Sequence, residues 1–330
     1  MAISLYNPFK PLDLNPELCF LTGQPIHSEK EQLSVFPEWI LDRYSLREKT
    51  FTMLGDGNIV KYKDLRIPCA ARVIEQYINP LEKEIEQAFS IGYEAVKELP
   101  KHKLFLWMGK LVYGVLYHDL RIALNTQSIR GERFSLSPYL ENRFRNLHLM
   151  LQSLTTPMEF KKAPRSIEVV RVKYSKDVFN YKDETNNLNF SLGMHDFGIV
   201  ACLQDNGENS IFHQELLKKI GEKILHPIQF EELCGRFIYS NYLLKWYPEF
   251  VVHVNEEKVF VEAVPFSGLN KQNLYDPWED EMFGQVLANY WKPWGIPMSE
   301  IVVFPNAPIS FLLNDYSDAL IEPESISLPF

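Results

Sequence analysis

The residues best able to hold a metal in this chain stand in incomplete company. Cys19 opens "CFLTGQ", where a paired Cys-x-x-Cys turn would carry a second thiol three residues on, and that position holds Thr22. Cys69 ends "IPC" and runs into Ala70, Ala71 and Arg72. Tetrahedral zinc takes four Cys or His ligands. His27 could join Cys19 and Cys69, with a carboxylate such as Glu31, in a sparse metal site. Buried structural thiols are the more ordinary role for cysteines so scattered. His195 beside Asp196 has the residue types for acid-base work. Neighbours on a strand point to opposite faces, however, so the pair reads as a turn.

Two further segments carry binding chemistry. Between "LRIALNTQSIRGERF" and "ENRFRN", Arg121, Arg130, Arg133, Arg143 and Arg145 meet few acids, interleaved with Phe134, Tyr139 and Phe144. That is the composition of a phosphate-contacting face, and equally of a solvated helix face with local ion pairs. "YDPWEDEMFGQVLANYWKPWGIP" gathers Trp278, Trp291 and Trp294 among Asp276, Glu279, Asp280 and Glu281. Aromatics among acids mark a partner surface where exposed and a core where buried. No phosphate loop, dinucleotide fingerprint, nucleophile elbow or His-Glu-x-x-His is present.

The elements that position these residues differ between the two halves. Up to about Pro68 the chain reads as irregular, with "PEWILDRYSL" a short helix and "LGDGN" a turn. Asn79-Pro80-Leu81-Glu82 has the form of a helix start, followed by Leu81, Ile85 and Ala88/Phe89 at helical spacing. His102 to Leu120 is apolar almost all round, which predicts a central helix; its most apolar stretch is too short for a bilayer and is interrupted by Lys110. Ser137-Pro138 starts a further helix with Leu140, Phe144, Leu147 and Leu151 on one face. After "TTPMEFKKAPRS", "IEVVRVKY", "LNFSLGM" and "FGIVACL" read as strands separated by "DETNN" and "DNGEN" turns. Two helices follow, in "FHQELLKKIGEKIL" and "QFEELCGRFIYSNYLLKWY". Glu249 to Phe266 then reads as a hairpin turning at Asn255–Lys258. The expected architecture is α+β, with a mainly helical module over residues 1–155 and an α+β domain with antiparallel strands over 156–330.

Composition sets outer limits. With 330 residues, 46% hydrophobic and 23% charged, the chain can bury a large core and is not of disordered or fibrous type. The net charge of -9 is uneven: residues 1–150 carry 19 Lys and Arg against 18 acids, and residues 151–330 carry 15 against 25. Nucleic acid, if contacted, should meet the first half. Four widely spaced cysteines and the lack of a basic segment leading into an apolar one at the N-terminus point to a cytoplasmic protein without a membrane anchor.

The order of landmarks over residues 15–120 resembles bacterial proteins of the HNH endonuclease class. In these a Cys-x-x-Cys knuckle precedes an acid-His pair and a "hydrophobic-Phe-Pro-Glu/Lys-Trp" segment, then a second knuckle ending in Asn, a Leu-Glu helix and a Trp-x-x-Lys helix. Cys19 matches the first knuckle and "VFPEWIL" the segment after the histidine. "IPC" matches the approach to the second knuckle, "YINPLEKEIEQAF" the Leu-Glu helix and "LWMGKLVYGVLY" the last. The resemblance implies a treble-clef-like start and a metal-dependent nuclease, but the ligands do not follow. Thr22, Ala70 and Val73 stand where thiolates belong, with Cys69 just outside, and Ile74 stands at the Asn position. In place of the base is Ser34, preceded by Leu33 instead of an acid. HNH cleavage needs an imidazole to deprotonate water and a hard cation to hold the phosphate, and a serine hydroxyl has too high a pKa for the first task.

The sequence therefore reads as a degenerate, non-catalytic HNH-like protein with no cofactor. It would act by binding a protein partner, or weakly nucleic acid through the N-terminal half; the resemblance implies a bacterial defence or mobile-element setting. Three alternatives stay open. One is an active nuclease using Zn or Mg through non-standard ligands, another an unrelated enzyme with its site near His195 or His253. The third is a scaffold protein.

Overall fold

The computed structural model describes residues 3–28, 31–53, 59–131, 134–246, 248–264, 274–303, 307–314 and 317–328. It is an α+β protein whose first half is mainly helical. Along the chain run β1 (Gln32–Ser34), α1 (Glu38–Arg43), β2 (Thr50–Thr52), β3 (Ile59–Lys61), β4 (Arg66–Pro68), α2 (Ala71–Val73), α3 (Asn79–Ile91), α4 (Tyr93–Glu98), α5 (Lys101–Ile129), α6 (Pro138–Leu151) and β5 (Met158–Phe160). Then come β6 (Ser166–Val172), β7 (Phe179–Glu184), β8 (Asn189–Met194), β9 (Phe197–Cys202), α7 (Glu208–Phe212), α8 (Gln214–Ile220), β10 (Ile224–Leu225) and α9 (Pro227–Leu243). The chain ends with β11 (Phe250–Val254), β12 (Val259–Ala263), α10 (Asp280–Tyr290), α11 (Met298–Ile301), β13 (Val302–Val303) and β14 (Ala307–Pro308). The "LGDGN" turn expected at 54–58 lies outside the described residues.

The chain forms two compact units. The first holds residues 1–90, 98–161 and 250–262; the second holds 91–97, 162–249 and 263–330. A single boundary near 155 misses the exchange. β12 pairs in parallel with β5, Val259 opposite Met158, so the β11–β12 hairpin belongs to the first unit. As expected, the hairpin turns at Asn255, whose side chain accepts the N–H groups of Glu257 and Lys258.

In the first unit α5 is the central element, buried over Leu104–Tyr117. That burial includes Lys110, whose ammonium meets Glu82 at 2.5 Å. Gly114 lets the residue that follows β1 approach closely, since a Cβ there would lie 2.5 Å from Val35. α6 starts where expected: the Ser137 hydroxyl accepts the Leu140 N–H at 3.3 Å, and Phe144, Leu147 and Leu151 are buried. Asn79 is not a helix start. It is helical itself, and a π-helical turn over Ile74–Ile78 joins α2 to α3 ahead of it. Pro80 offers no N–H and crowds the carbonyl four residues back, and a widened turn before it relieves that conflict.

In the second unit the sheet order is β10-β6-β9-β8-β7, antiparallel except for β10 on β6. The antiparallel strands expected here are present as β6, β9, β8 and β7, with the short β10 added in parallel at one edge. β8 and β9 are buried along their whole length. α9 covers the side that carries Val200 and Cys202, with Phe230, Leu233 and Phe237 in one core with them. It begins at His226-Pro227 with a reciprocal cap from His226 and Gln229. At one end of the sheet Asp205 is fully buried and accepts bonds from Ser166 Oγ and from the N–H groups of Gly207 and Asn209. No helix among the described residues is long and apolar enough to cross a membrane.

Candidate functional site

The first candidate is built by two turns. The Cys19 turn closes on itself, with Cys19 N–H donating to Gln24 O and Gly23 N–H to Cys19 O, and Phe20 N–H then donates to Pro68 O at the end of β4. Cys69 N–H donates in turn to Glu31 O. Cys19 and Cys69, far apart in sequence, are thereby brought together and are fully buried. The Cys69 thiol is placed to donate to Ala70 O at 3.9 Å, and the neighbouring Cys69 thiol, more than the Thr22 hydroxyl and nearby peptide groups, holds the Cys19 thiol below its ordinary pKa against the opposing effect of burial. The hydrogen bond to Cys19, and then burial, push the Cys69 thiol up. His27 is exposed and does not join the thiols. Among the described residues no three His, Cys, Asp or Glu side chains gather as a set that could hold a metal. Two thiols, a hydroxyl and peptide groups do not fit tetrahedral zinc.

Beside these turns, β1 and β4 pair antiparallel with Ser34 opposite Arg66. Ser34 lines a cleft of about 500 Å³, together with Trp39, Arg66, Glu38, Glu82 and Glu86. It is 8% exposed, and among the described residues neither its Oγ nor Trp39 Nε1 has a hydrogen-bond partner. Glu38 is tied to Arg47 and Arg66, and Glu82 to Lys110. No histidine lines the cleft. The imidazole of His118 instead bonds the backbone oxygen of Arg66, and burial lowers its pKa. A hydroxyl and an indole N–H can bind an acceptor here, and the carboxyl groups of Glu38, Asp42, Glu82 and Glu86 line the same cleft.

The four described arginines, Arg121, Arg130, Arg143 and Arg145, do not form one face. The Arg121 guanidinium lies over the Tyr117 ring at 5.7 Å, while Arg130 is exposed at the end of α5. At 3.6 residues per turn these two leave the helix on opposite sides. Arg143 is buried, its Nη1 donating to Tyr139 Oη at 2.6 Å, which corrects its expected role in phosphate contact. A long aliphatic stem packs well beneath a ring. Arg145 donates to Asn142. Arg133 lies outside the described residues.

The tryptophans are likewise core residues. Trp291 is 0% exposed and packs with Ile228, Phe283, Leu287 and Ile301, so it cannot meet a partner. Trp278 and Trp294 are half-buried against the same cluster. The packing of three aromatics inward leaves other side chains outside. Tyr242 on α9 is 55% exposed and Met282 on α10 is 45% exposed, and both line a groove of about 750 Å³. Periodicity could have found Met282, Val286 and Tyr290 on one stripe of α10. The tryptophans masked it.

His195 has φ 53° in the β8–β9 turn, and Asp196 Oδ1 accepts from its ring at 2.8 Å and from Tyr93 N–H at 2.8 Å. The pair is a turn that also holds the start of α4. His253 is exposed on β11. No protein family matches the chain, and neither does any curated protein or solved structure.

Proposed function

We propose that the chain is a non-catalytic HNH-like protein that acts by binding, with a protein partner as its main ligand and a cytoplasmic, bacterial setting. The observation that carries this proposal is Ser34. The residue at the expected base position is a hydroxyl that, among the described residues, has no bonding partner and no imidazole beside it, walled by acids and one arginine. The dispersed arginines argue against nucleic acid as the main ligand. Four buried free thiols suit a reducing compartment.

The test is a supercoiled plasmid incubated with the purified chain and Mg or Mn, alongside a DNA-binding titration at two salt concentrations. The expected outcome is uncut plasmid and weak, salt-sensitive DNA affinity. Nicking that chelation abolishes would replace this proposal with a nuclease using unusual ligands.

A further inference from the structure

We infer that the groove between α9 and α10 docks a basic helical segment of a partner protein, one with an apolar face flanked by lysine or arginine. This builds on the binding role proposed above by naming a surface and a partner chemistry. It is tested at that groove alone, so a catalytic N-terminal module would leave it standing.

The groove has the form of a helix receptor. Tyr242 and Leu243 of α9 face Met282, Val286 and Tyr290 of α10 across it. The α10 residues fall at i, i+4 and i+8, so the apolar stripe runs about 12 Å along the helix at 1.5 Å per residue. That length receives two to three turns of an amphipathic helix, with anchors at similar spacing. An apolar surface this open, with Tyr242 and Met282 about half in solvent, is a feature that interaction sites share.

Charge selects the occupant. Asp276 and Glu279 line the groove where α10 begins, and Glu184 lines it beside Tyr290, where α10 ends. Among the described residues no lysine or arginine lines it. Two lysines stand close by: Lys245 pairs with Asp276 at 3.1 Å and offsets that acid, and Lys182, 4.7 Å above the Tyr290 ring, is bound by the buried Glu231, so Glu279 and Glu184 carry the groove's negative character. Acids at both ends of an apolar trough attract a helix with cations at its flanks and repel both nucleic acid and a second copy of the same groove.

The experiment uses the full chain and fluorescein-labelled 16-residue helical peptides with a Leu/Phe stripe, flanked either by lysines or by glutamates. Anisotropy titrations should show the lysine peptide saturating in the micromolar range, at least about tenfold tighter than the glutamate peptide, and weakening as salt rises. Met282→Arg should weaken it by about tenfold or more, since it removes an apolar anchor and adds a like charge. Tyr242→Lys is the second variant, and circular dichroism confirms that both remain folded. Three results would overturn the inference: equal binding of the two peptides, no binding by 1 mM peptide, or binding indifferent to both variants. Sedimentation showing a dimer that Met282→Arg dissolves would assign the groove to a second copy instead.

Discussion

Acid should weaken this protein well before its carboxylates are protonated, because two histidines must stay neutral to stay buried. His148 on α6 is 1% exposed, its Nε2–H donating to Phe20 O at 2.6 Å and its Nδ1 accepting from Gln152 at 3.3 Å. Burial lowers its pKa from 6.5 to about 4. In the other unit burial lowers His213 from 6.5 to about 3. Each pKa is depressed on folding, so between the folded and unfolded values the unfolded chain binds the extra proton and stability is lost as pH falls. At about 1.4 kcal/mol for each tenfold, each histidine should cost roughly 2 kcal/mol between pH 7.5 and pH 5. The full penalty for His148, about 3 kcal/mol, is reached only below pH 4. The assay is urea unfolding at the two pH values and constant ionic strength, comparing the parent with His148→Gln. The variant should start less stable at pH 7.5, having lost a fitted ring, but should give up about 2 kcal/mol less on going to pH 5. A parent whose stability is flat across that range, or a variant with an unchanged pH slope, would refute the reasoning.

Two packing predictions follow. Glu231 is buried on α9 and holds Lys182 and Asn180, with the Lys182 ammonium 4.7 Å above the Tyr290 ring. Glu231→Ala should cost about 3 kcal/mol, the low end for a broken buried pair because Lys182 is 31% exposed, and Glu231→Met with Lys182→Met should recover most of it; chemical denaturation reads both. Gly114→Ala should cost about 1–3 kcal/mol by driving a Cβ into Val35, and thermal melts should show part of the loss recovered when Val35→Ala is added.

The elements legible in the sequence were those whose own residues settle them. α6 carries its cap and its stripe in sequence, and the Asn255 turn carries its own side-chain acceptor. β6, β8 and β9 are dense apolar runs bounded by turn residues. β7 is hard to read because its alternation is short: Phe179 and Tyr181 share a face, but Lys182, Asp183 and Glu184 end the pattern with three charged residues. β5 was missed because "PMEF" sits among Pro and Lys and gains its partner, β12, from far along the chain. The Asn79-Pro80 signal misled for a local reason: a π turn can absorb a proline that would otherwise open a helix. At the candidate sites the residue types were legible, but their exposure was not. Burial of Arg143 and Trp291 depends on which neighbours fold against them.

Glu31 ties the Cys19 turn to the Cys69 turn. One carboxylate oxygen accepts Ala71 N–H at 3.0 Å where α2 begins, and the other accepts the N–H groups of His27 and Ser28. Its backbone oxygen accepts Cys69 N–H. A single residue thus ties the segment after the first turn to the second, as a metal would, with a negative charge gathering dipoles in place of a positive charge gathering thiolates. These N–H donors hold the Glu31 carboxyl below its ordinary pKa, with Ala71 contributing most. The stability it supplies is present above the unfolded value of 4.5 and is lost as pH falls through the lower folded value. If this tie replaces an ion, prolonged EDTA treatment should leave the melting temperature of the parent unchanged. Glu31→Gln, which keeps the shape but weakens acceptance from N–H groups, should lower it at pH 7 and shrink the difference from the parent as pH falls. A parent that EDTA destabilises, with Glu31→Gln melting like the parent, would return the role to a bound metal.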